Sequence, residues 1–333
     1  MRLLRFLLVL GVLAALLVGF VVLVPYGSKA EIFVDIAPGT GTMDIAKQLE
    51  RAGIVRSAAA FEGLSIWKRL SGREGTLKAG EYRFDHSEKM EEVYSRLRRG
   101  DVYTVTVVVP EGFNIFDIAG AVAVAGLDSR EDFLRAEQQH TELISRWNSG
   151  GSAGAISVEG YLFPDTYKFR HHATAVEMLT AMVGRFGQEA SRLGIHNDQV
   201  ERAVTMASLV EKEVHLDAER PKVASVFNNR LAEGMPLRTD PAVIYASMLR
   251  GTWTGIIHQS ELKSDSAYNT YVHVGLPPGP ICNPGAAALN AVLHPASTNY
   301  LYFVANSQGA TRFAVTLSEQ NSNVAAYRVA TKP

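Results

Sequence analysis

The chain has 333 residues, with 33 Lys+Arg against 34 Asp+Glu and a formal net charge of −1, a balance that gives no sign of an electrostatic nucleic-acid binder. A hydrophobic content of 47% beside 20% charged residues excludes wholesale disorder, and the length suits about two domains. Cys282 is the one cysteine, so neither an intrachain disulfide nor a thiolate zinc cage can form.

From Phe6 to Val24 (FLLVLGVLAALLVGFVVLV) every residue is apolar or glycine. At ~1.5 Å per residue the run spans roughly 28 Å, close to the ~30 Å hydrocarbon core of a bilayer. It has no polar face, as a helix half-buried in a soluble core would. A cleaved signal peptide usually has a shorter apolar run, and Val24-Pro25-Tyr26-Gly27 lacks a small-x-small cleavage site. Residues 1–27 are therefore expected to be a short cytoplasmic tail and a transmembrane anchor. Arg2 and Arg5 hold the tail inside, so the rest of the chain is exported.

The exported part contains a weak repeat. Ile36-Ala37-Pro38-Gly39, Asp44-Ile45-Ala46 and Ala52-Gly53-Ile54 return as Val109-Pro110-Glu111-Gly112, Asp117-Ile118-Ala119 and Ala125-Gly126-Leu127. Each copy reads as strand, turn and a short helix ending at a glycine, a small duplicated α/β unit. Between the copies, Leu77–Phe84 reads as a turn entering a strand, and Met90, Val93, Tyr94 and Leu97 fall at helical spacing. The β-branched run Val102–Val109 is a strand ended by Pro110. Glu131–Trp147 reads as a helix. The stretch Ser149-Gly150-Gly151-Ser152-Ala153-Gly154-Ala155 reads as a linker, placing one domain at 32–148 and another at 155–333.

Beyond it, Ala175–Leu193 and Gln199–Val214 read as helices, and Pro221 suits the first turn of a third carrying Val223, Val226, Phe227 and Leu231. Ser266–Pro284 is too rich in Gly, Pro, Tyr and Asn for a regular element, and long ordered loops of this kind often carry function. Residues 300–305 and 312–315 read as a hairpin. The fold class is α+β behind a single transmembrane helix.

No P-loop, dinucleotide glycine pattern, HExxH or GxSxG is present. The His171-His172 rings are expected to diverge. His215, Asp217 and Glu219 form a dense cluster of ligand types, but acidic residues ahead of Pro221 also suit a helix N-terminus. No metal and no cofactor is expected. Met206-Ala207-Ser208-Leu209-Val210-Glu211-Lys212-Glu213-Val214 is more informative. On a helix Glu213 shares the apolar stripe of Met206, Leu209 and Val210, whereas Glu211 lies on its edge, about 200° away at ~100° per residue. A carboxyl in an apolar wall stays protonated and can act as an acid. The alternative is a snorkelling glutamate paired with Arg220 or Arg230.

These residues carry a resemblance. The segment Met206–Glu213, then Glu219-Arg220 and Val223-Ala224-Ser225-Val226-Phe227-Asn228-Asn229-Arg230-Leu231, is similar to the endolytic murein transglycosylase family (MltG, YceG-like). The similarity extends to Gly234–Pro241, Glu159-Gly160-Tyr161-Leu162-Phe163-Pro164-Asp165-Thr166-Tyr167, Ala267–Tyr271 and Gly275–Ile281. Several long motifs in one order make it specific. It implies an enzyme of the inner membrane with its body in the periplasm, a LysM-like first module contacting peptidoglycan, and a catalytic second domain. The reaction implied is cleavage of the MurNAc–GlcNAc β-1,4 bond within glycan strands, leaving 1,6-anhydro-MurNAc ends, with cell-wall synthase complexes as partners. Family members often carry Thr or Ala where this chain has Val214, which makes the surroundings of Glu213 more apolar.

Such a reaction needs one carboxyl, because the sugar's own C6 hydroxyl is the nucleophile. Hydrolysis needs two. Glu213, on the apolar face, is assigned that acid–base role, with Glu211 as the alternative or a supporting residue paired with Arg220. Tyr161, Arg220, Arg238, Asp240, Asn269 and Tyr271 are expected to contact substrate. Asp240 also suits the N-cap of a helix beginning near Pro241. A hydrolytic muramidase would need Asp165 or Asp240 facing Glu213, and a non-catalytic peptidoglycan-binding scaffold would need no acid at all.

Overall fold

A computed structural model describes residues 2–72, 75–147, 157–214, 216–306 and 310–330. It forms two compact units, residues 1–105 and 106–333, in a mixed α+β architecture.

The first unit begins with α1 (Arg2–Leu23), of which Arg5–Leu23 is long and apolar enough to cross a membrane. The far end of α1 is docked: Val21 and Val22 pack against the core of this unit, and the Arg56 guanidinium lies 4.5 Å from the Phe20 ring and 4.6 Å from Tyr26. Tyr26 exchanges backbone hydrogen bonds with Glu88 at 2.9 and 3.0 Å. Removal of residues 1–24, leaving Tyr26 in place, is expected to give a folded protein that stays in the supernatant without detergent. Sedimentation of that shortened chain with membranes would refute the anchor.

After α1 come β1 (Ile32–Ile36), α2 (Thr42–Arg51), α3 (Ala58–Leu70), β2 (Gly80–Phe84) and α4 (Met90–Arg99). β1 and β2 pair antiparallel, with Ile32 opposite Phe84 and Ile36 opposite Gly80. Val34, Ile36, Tyr82 and Phe84 are thereby buried on Ile45, Leu49, Phe61, Val93 and Leu97 of the helices. All four apolar residues expected on the α4 stripe are buried.

The second unit repeats the order strand–helix–helix–strand with β3 (Val105–Val109), α5 (Ile115–Val124), α6 (Arg130–Gln139) and β4 (Asp165–Phe169), and β3 and β4 form its sheet. The sequence repeat is therefore structural. α2 and α5 end alike: Gly53 and Gly126 take φ of 70° and 74°, and Ile54 and Leu127 donate back to Leu49 and Val122. A left-handed residue at that point satisfies the last helical carbonyls.

This duplication corrects the domain boundary. The glycine–serine stretch lies outside the described residues, but it falls inside the second strand–helix–helix–strand repeat rather than after it. Val107, Ile118, Phe133 and Trp147 before it share one core with Val158, Leu162, Met178 and Phe186 after it. The helix expected over 131–147 is also interrupted, ending at Gln139 and resuming as a 3₁₀ turn over Thr141–Ile144.

The remaining elements are α7 (Ala175–Arg192), α8 (Asn197–Glu213), α9 (Arg220–Ala232), α10 (Asp240–Leu249), α11 (Gln259–Leu262), α12 (Ala286–Leu293), the antiparallel hairpin β5 (Tyr302–Ala305) and β6 (Thr311–Ala314), and α13 (Leu317–Ala330). Helix α8 is buried over most of its surface, so it is the centre of this unit. The irregular segment 280–285 crosses it: Ile281 N–H donates to Ser208 Oγ at 3.1 Å, and the Cys282 thiol to Ser208 O at 3.3 Å. Gly160 makes room for this strap. At φ 87°, a Cβ on it would meet Pro280 Cγ at 2.4 Å and Val204 Cγ1 at 2.7 Å.

Candidate active site

The two glutamates at the end of α8 have opposite surroundings. Glu211 is buried and fully engaged: Arg220 Nη2 donates to Oε1 at 2.7 Å, and Gly285 N–H, at the start of α12, donates to Oε2 at 3.0 Å. Arg220 also pairs with Asp217 and lies 4.0 Å from Glu111. Burial pushes the Glu211 carboxyl above its ordinary value despite these donors. The network ties α8, α9 and α12 together, with Arg220 at its centre.

Glu213 is half-buried, and among the described residues nothing donates a hydrogen bond to its carboxyl. Burial, and then the negative charge of Asp240, push its pKa up to about 7, while Arg230 pulls the other way. Val214, buried directly after it, turns the chain into extended backbone and adds apolar wall. A carboxyl without donors and beside an anion holds its proton near neutrality, as a general acid must.

Asp240 is not the N-cap of α10. Thr239 holds that position, and Asp240 instead accepts the Tyr271 hydroxyl at 2.6 Å. Asp240, Glu213 and Arg238 all act on the Tyr271 phenol, and Asp240 also on Glu213; burial together with the Asp240 bond raises the Tyr271 phenol above its ordinary value. These four residues are the part of the expected set that the fold gathers.

The others serve elsewhere. Tyr161 stacks on Trp147 at 5.7 Å and meets Phe186 edge-on at 5.2 Å, deep in the core. Asn269 is fully buried, and its amide donates to the carbonyls of Glu261, Leu262 and Ser264 while Oδ1 accepts Tyr271 N–H at 3.0 Å. It therefore shapes the loop that presents Tyr271. Asp165 accepts Arg185 Nε at 2.9 Å on β4. Of the metal-type cluster, His215 lies outside the described residues, Asp217 is held by Arg220, and Glu219 accepts the Thr311 amide at 2.8 Å. The His171 and His172 rings do not diverge: their centroids are 3.5 Å apart.

Two further contributors stand outside the expected site set; the sequence offers Arg230 only as an alternative partner of the glutamate. Arg230 is fixed by donating to Leu301 O at 2.7 Å and Leu237 O at 2.6 Å, and it opposes Asp240 at Glu213. Its spacing of three, four and seven from Phe227, Val226 and Val223 puts it on the buried stripe, a legible signal. Glu159 accepts Ile115 N–H at 2.9 Å and Asn283 Nδ2 at 2.8 Å, while Asn283 Oδ1 takes Leu162 N–H at 2.8 Å. That cluster locks the strap beside α8.

The corner thus holds one protonatable carboxyl at a helix end, with Asp240 bonded to Tyr271 and Arg230 to two carbonyls beside it. The sequence profile of the YceG-like family matches residues 34–326, and the chain belongs to that family. It is 33% identical over 310 residues to the endolytic murein transglycosylase of Bacillus subtilis (strain 168), covering 88% of this chain and 84% of the relative. It is 30% identical over 326 residues to the protein of the same name from Streptococcus pneumoniae serotype 2, covering 90% of this chain and 58% of that longer relative. A 2.6 Å crystal structure of a yceG-like protein from Listeria monocytogenes superposes with a TM-score of 0.56 at 31% identity, covering 89% of this chain and 99% of the other.

Proposed function

We propose that this chain is an endolytic murein transglycosylase, a lyase that cuts the MurNAc–GlcNAc β-1,4 bond within peptidoglycan strands and leaves 1,6-anhydro-MurNAc ends. The observation that carries this reading is the donor-free Glu213 carboxyl, held near pKa 7 by burial and Asp240. In the first half of the reaction Glu213 gives its proton to the glycosidic oxygen as the bond to C1 breaks. In the second, the C6 hydroxyl of the same sugar closes on C1, and the Glu213 carboxylate takes the hydroxyl proton. The carboxyl ends as it began, and no water is consumed. Tyr271 supports the centre by holding Asp240.

The first unit reads as a LysM-like module that contacts glycan without cutting it. Supporting this are its strand–helix–helix–strand order and a groove of about 680 Å³ edged by Thr40, Gly41, Thr42, Ser65, Arg69 and Tyr94, which offers hydroxyls, backbone and one aromatic ring. The apolar helix α1, with Arg2 and Arg5 at its start, supports a single-pass inner-membrane protein with its tail in the cytoplasm. Held there, the enzyme meets strands as cell-wall synthases release them, which makes those complexes its proposed partners and strand termination or trimming its proposed task.

Mass spectrometry of glycan digested by the full chain tests the reaction. Products one water lighter than hydrolytic fragments are expected. Products carrying the added water would make Asp240 a base in a muramidase, and intact strands would leave a binding scaffold.

A further inference from the structure

Among the described residues Arg238 is the one non-glycine at positive φ, 52°. Glycine adopts that backbone freely, and residues with a Cβ rarely do. The chain is held there from outside: Arg238 N–H donates to Thr270 O at 2.9 Å, Thr239 N–H to Thr270 Oγ1 at 2.9 Å, and the two threonine hydroxyls meet at 3.1 Å. Thr239 and Thr270 are both buried. Strain of this kind, fixed by its surroundings, concentrates at functional sites.

The guanidinium held in this way has nothing to do inside the fold. Arg238 is exposed and, among the described residues, its side chain has no hydrogen-bond or ion-pair partner. Its neighbours are already committed. Asp240 accepts the Tyr271 hydroxyl, and Arg230 donates to two carbonyls. Arg238 is nonetheless two residues from Asp240, and its N–H is bonded to the carbonyl of Thr270, next to the Tyr271 that holds Asp240, so it stands at the rim of the acid's corner.

We propose that Arg238 recognises a carboxylate carried by the glycan strand and thereby sets the charge class of the strand that Glu213 cuts. The planar guanidinium fork matches a carboxylate in geometry. On peptidoglycan that group is the lactyl carboxylate of a stem-free MurNAc or a carboxylate of a peptide stem. The inference rests on Glu213 being the acid at this site.

The test compares the full chain with Arg238→Gly and Arg238→Lys on stem-free strands, stem-bearing strands, and both after conversion of carboxylates to methyl amides. Glycine suits the backbone, so Arg238→Gly removes the guanidinium without new strain. For the strand that carries the recognised group, kcat/KM is expected to fall about fivefold through KM, which is ~1 kcal/mol. On amidated strands Arg238→Gly and the natural chain should differ by far less than about fivefold, and Arg238→Lys should recover part of the loss. A loss on stem-free strands assigns the lactyl group, and a loss confined to stem-bearing strands assigns the stem. The same strands are also titrated against Glu213→Gln with and without Arg238→Gly, which judges the carboxylate by binding even if no strand is cleaved. Absence of cleavage then counts against the Glu213 reading alone. An unchanged preference for carboxylate-bearing over amidated strands, in rate and in binding, would overturn the proposal.

Discussion

Glu213→Gln is expected to abolish formation of the anhydro product while leaving the fold intact. Glutamine matches glutamate in shape but can neither give a proton to the leaving oxygen nor take one from the C6 hydroxyl. General acid–base catalysis contributes ~10²–10⁴-fold, and one group serves both halves of the reaction, so the loss belongs at the upper end. In the natural chain kcat/KM should decline as pH rises above about 7, where Glu213 ionises. A second readout separates this role from a structural one. The native carboxyl holds its proton up to about 7, against an ordinary 4.5. Its contribution to stability is therefore fully present below 4.5 and lost as pH rises through about 7. Glu213→Gln should thus melt close to the natural chain at pH 4.5 and above it at pH 8. Full activity in this variant, or a lower melting temperature at pH 8, would remove Glu213 from the role.

The largest expected effect on stability comes from Arg220→Ala. Removing one member of a buried pair leaves the other charge without compensation, which costs about 3–5 kcal/mol. Here Glu211 would keep only the Gly285 amide. Urea unfolding should show a loss of unfolding free energy of that size, and Glu211→Gln a smaller one, since its amide keeps an acceptor oxygen for Arg220. Replacing both residues by Leu and Met should restore much of the loss, because an apolar pair needs no charge compensation. An Arg220→Ala midpoint equal to that of the natural chain would mean the network is solvated and contributes little.

Much of this architecture was legible because its signals are local. The apolar helix α1, the α4 stripe, the terminal hairpin and the glycine-ended helices α2 and α5 all follow from spacing within about twenty residues. The helical spacing put Glu213 and Glu211 on different faces of α8, but it did not show that Glu211 would be the more buried of the two, held by Arg220 and Gly285 from other elements. What local pattern misled on was topology. The glycine–serine stretch looked like a domain break, and only the pairing of β3 with β4 shows that the chain returns across it to finish a unit already begun. Asn269 and Tyr161 resembled sugar-binding residues by type, yet Asn269 is bonded within its own loop and Tyr161 is packed in the core. Asp240 sat beside a helix start, but its partner was a tyrosine 31 positions away, which no spacing rule reaches. Arg238 was legible as a residue type and not as a strained one.

The strap over α8 has a consequence for the order in which the protein is built. Asn283 closes onto Glu159 and Leu162, more than 120 positions earlier, and Gly285 onto Glu211, 74 positions earlier. The first unit, by contrast, is complete within its own 105 residues. Contacts so distant along the chain carry a loop-closure cost that slows their formation. The amino-terminal unit can settle as soon as it emerges during synthesis. Helix α8 must wait, its Glu211 without the Gly285 amide, until residue 285 has been made, so a chain interrupted before that point would have a finished first unit beside an unfinished second one.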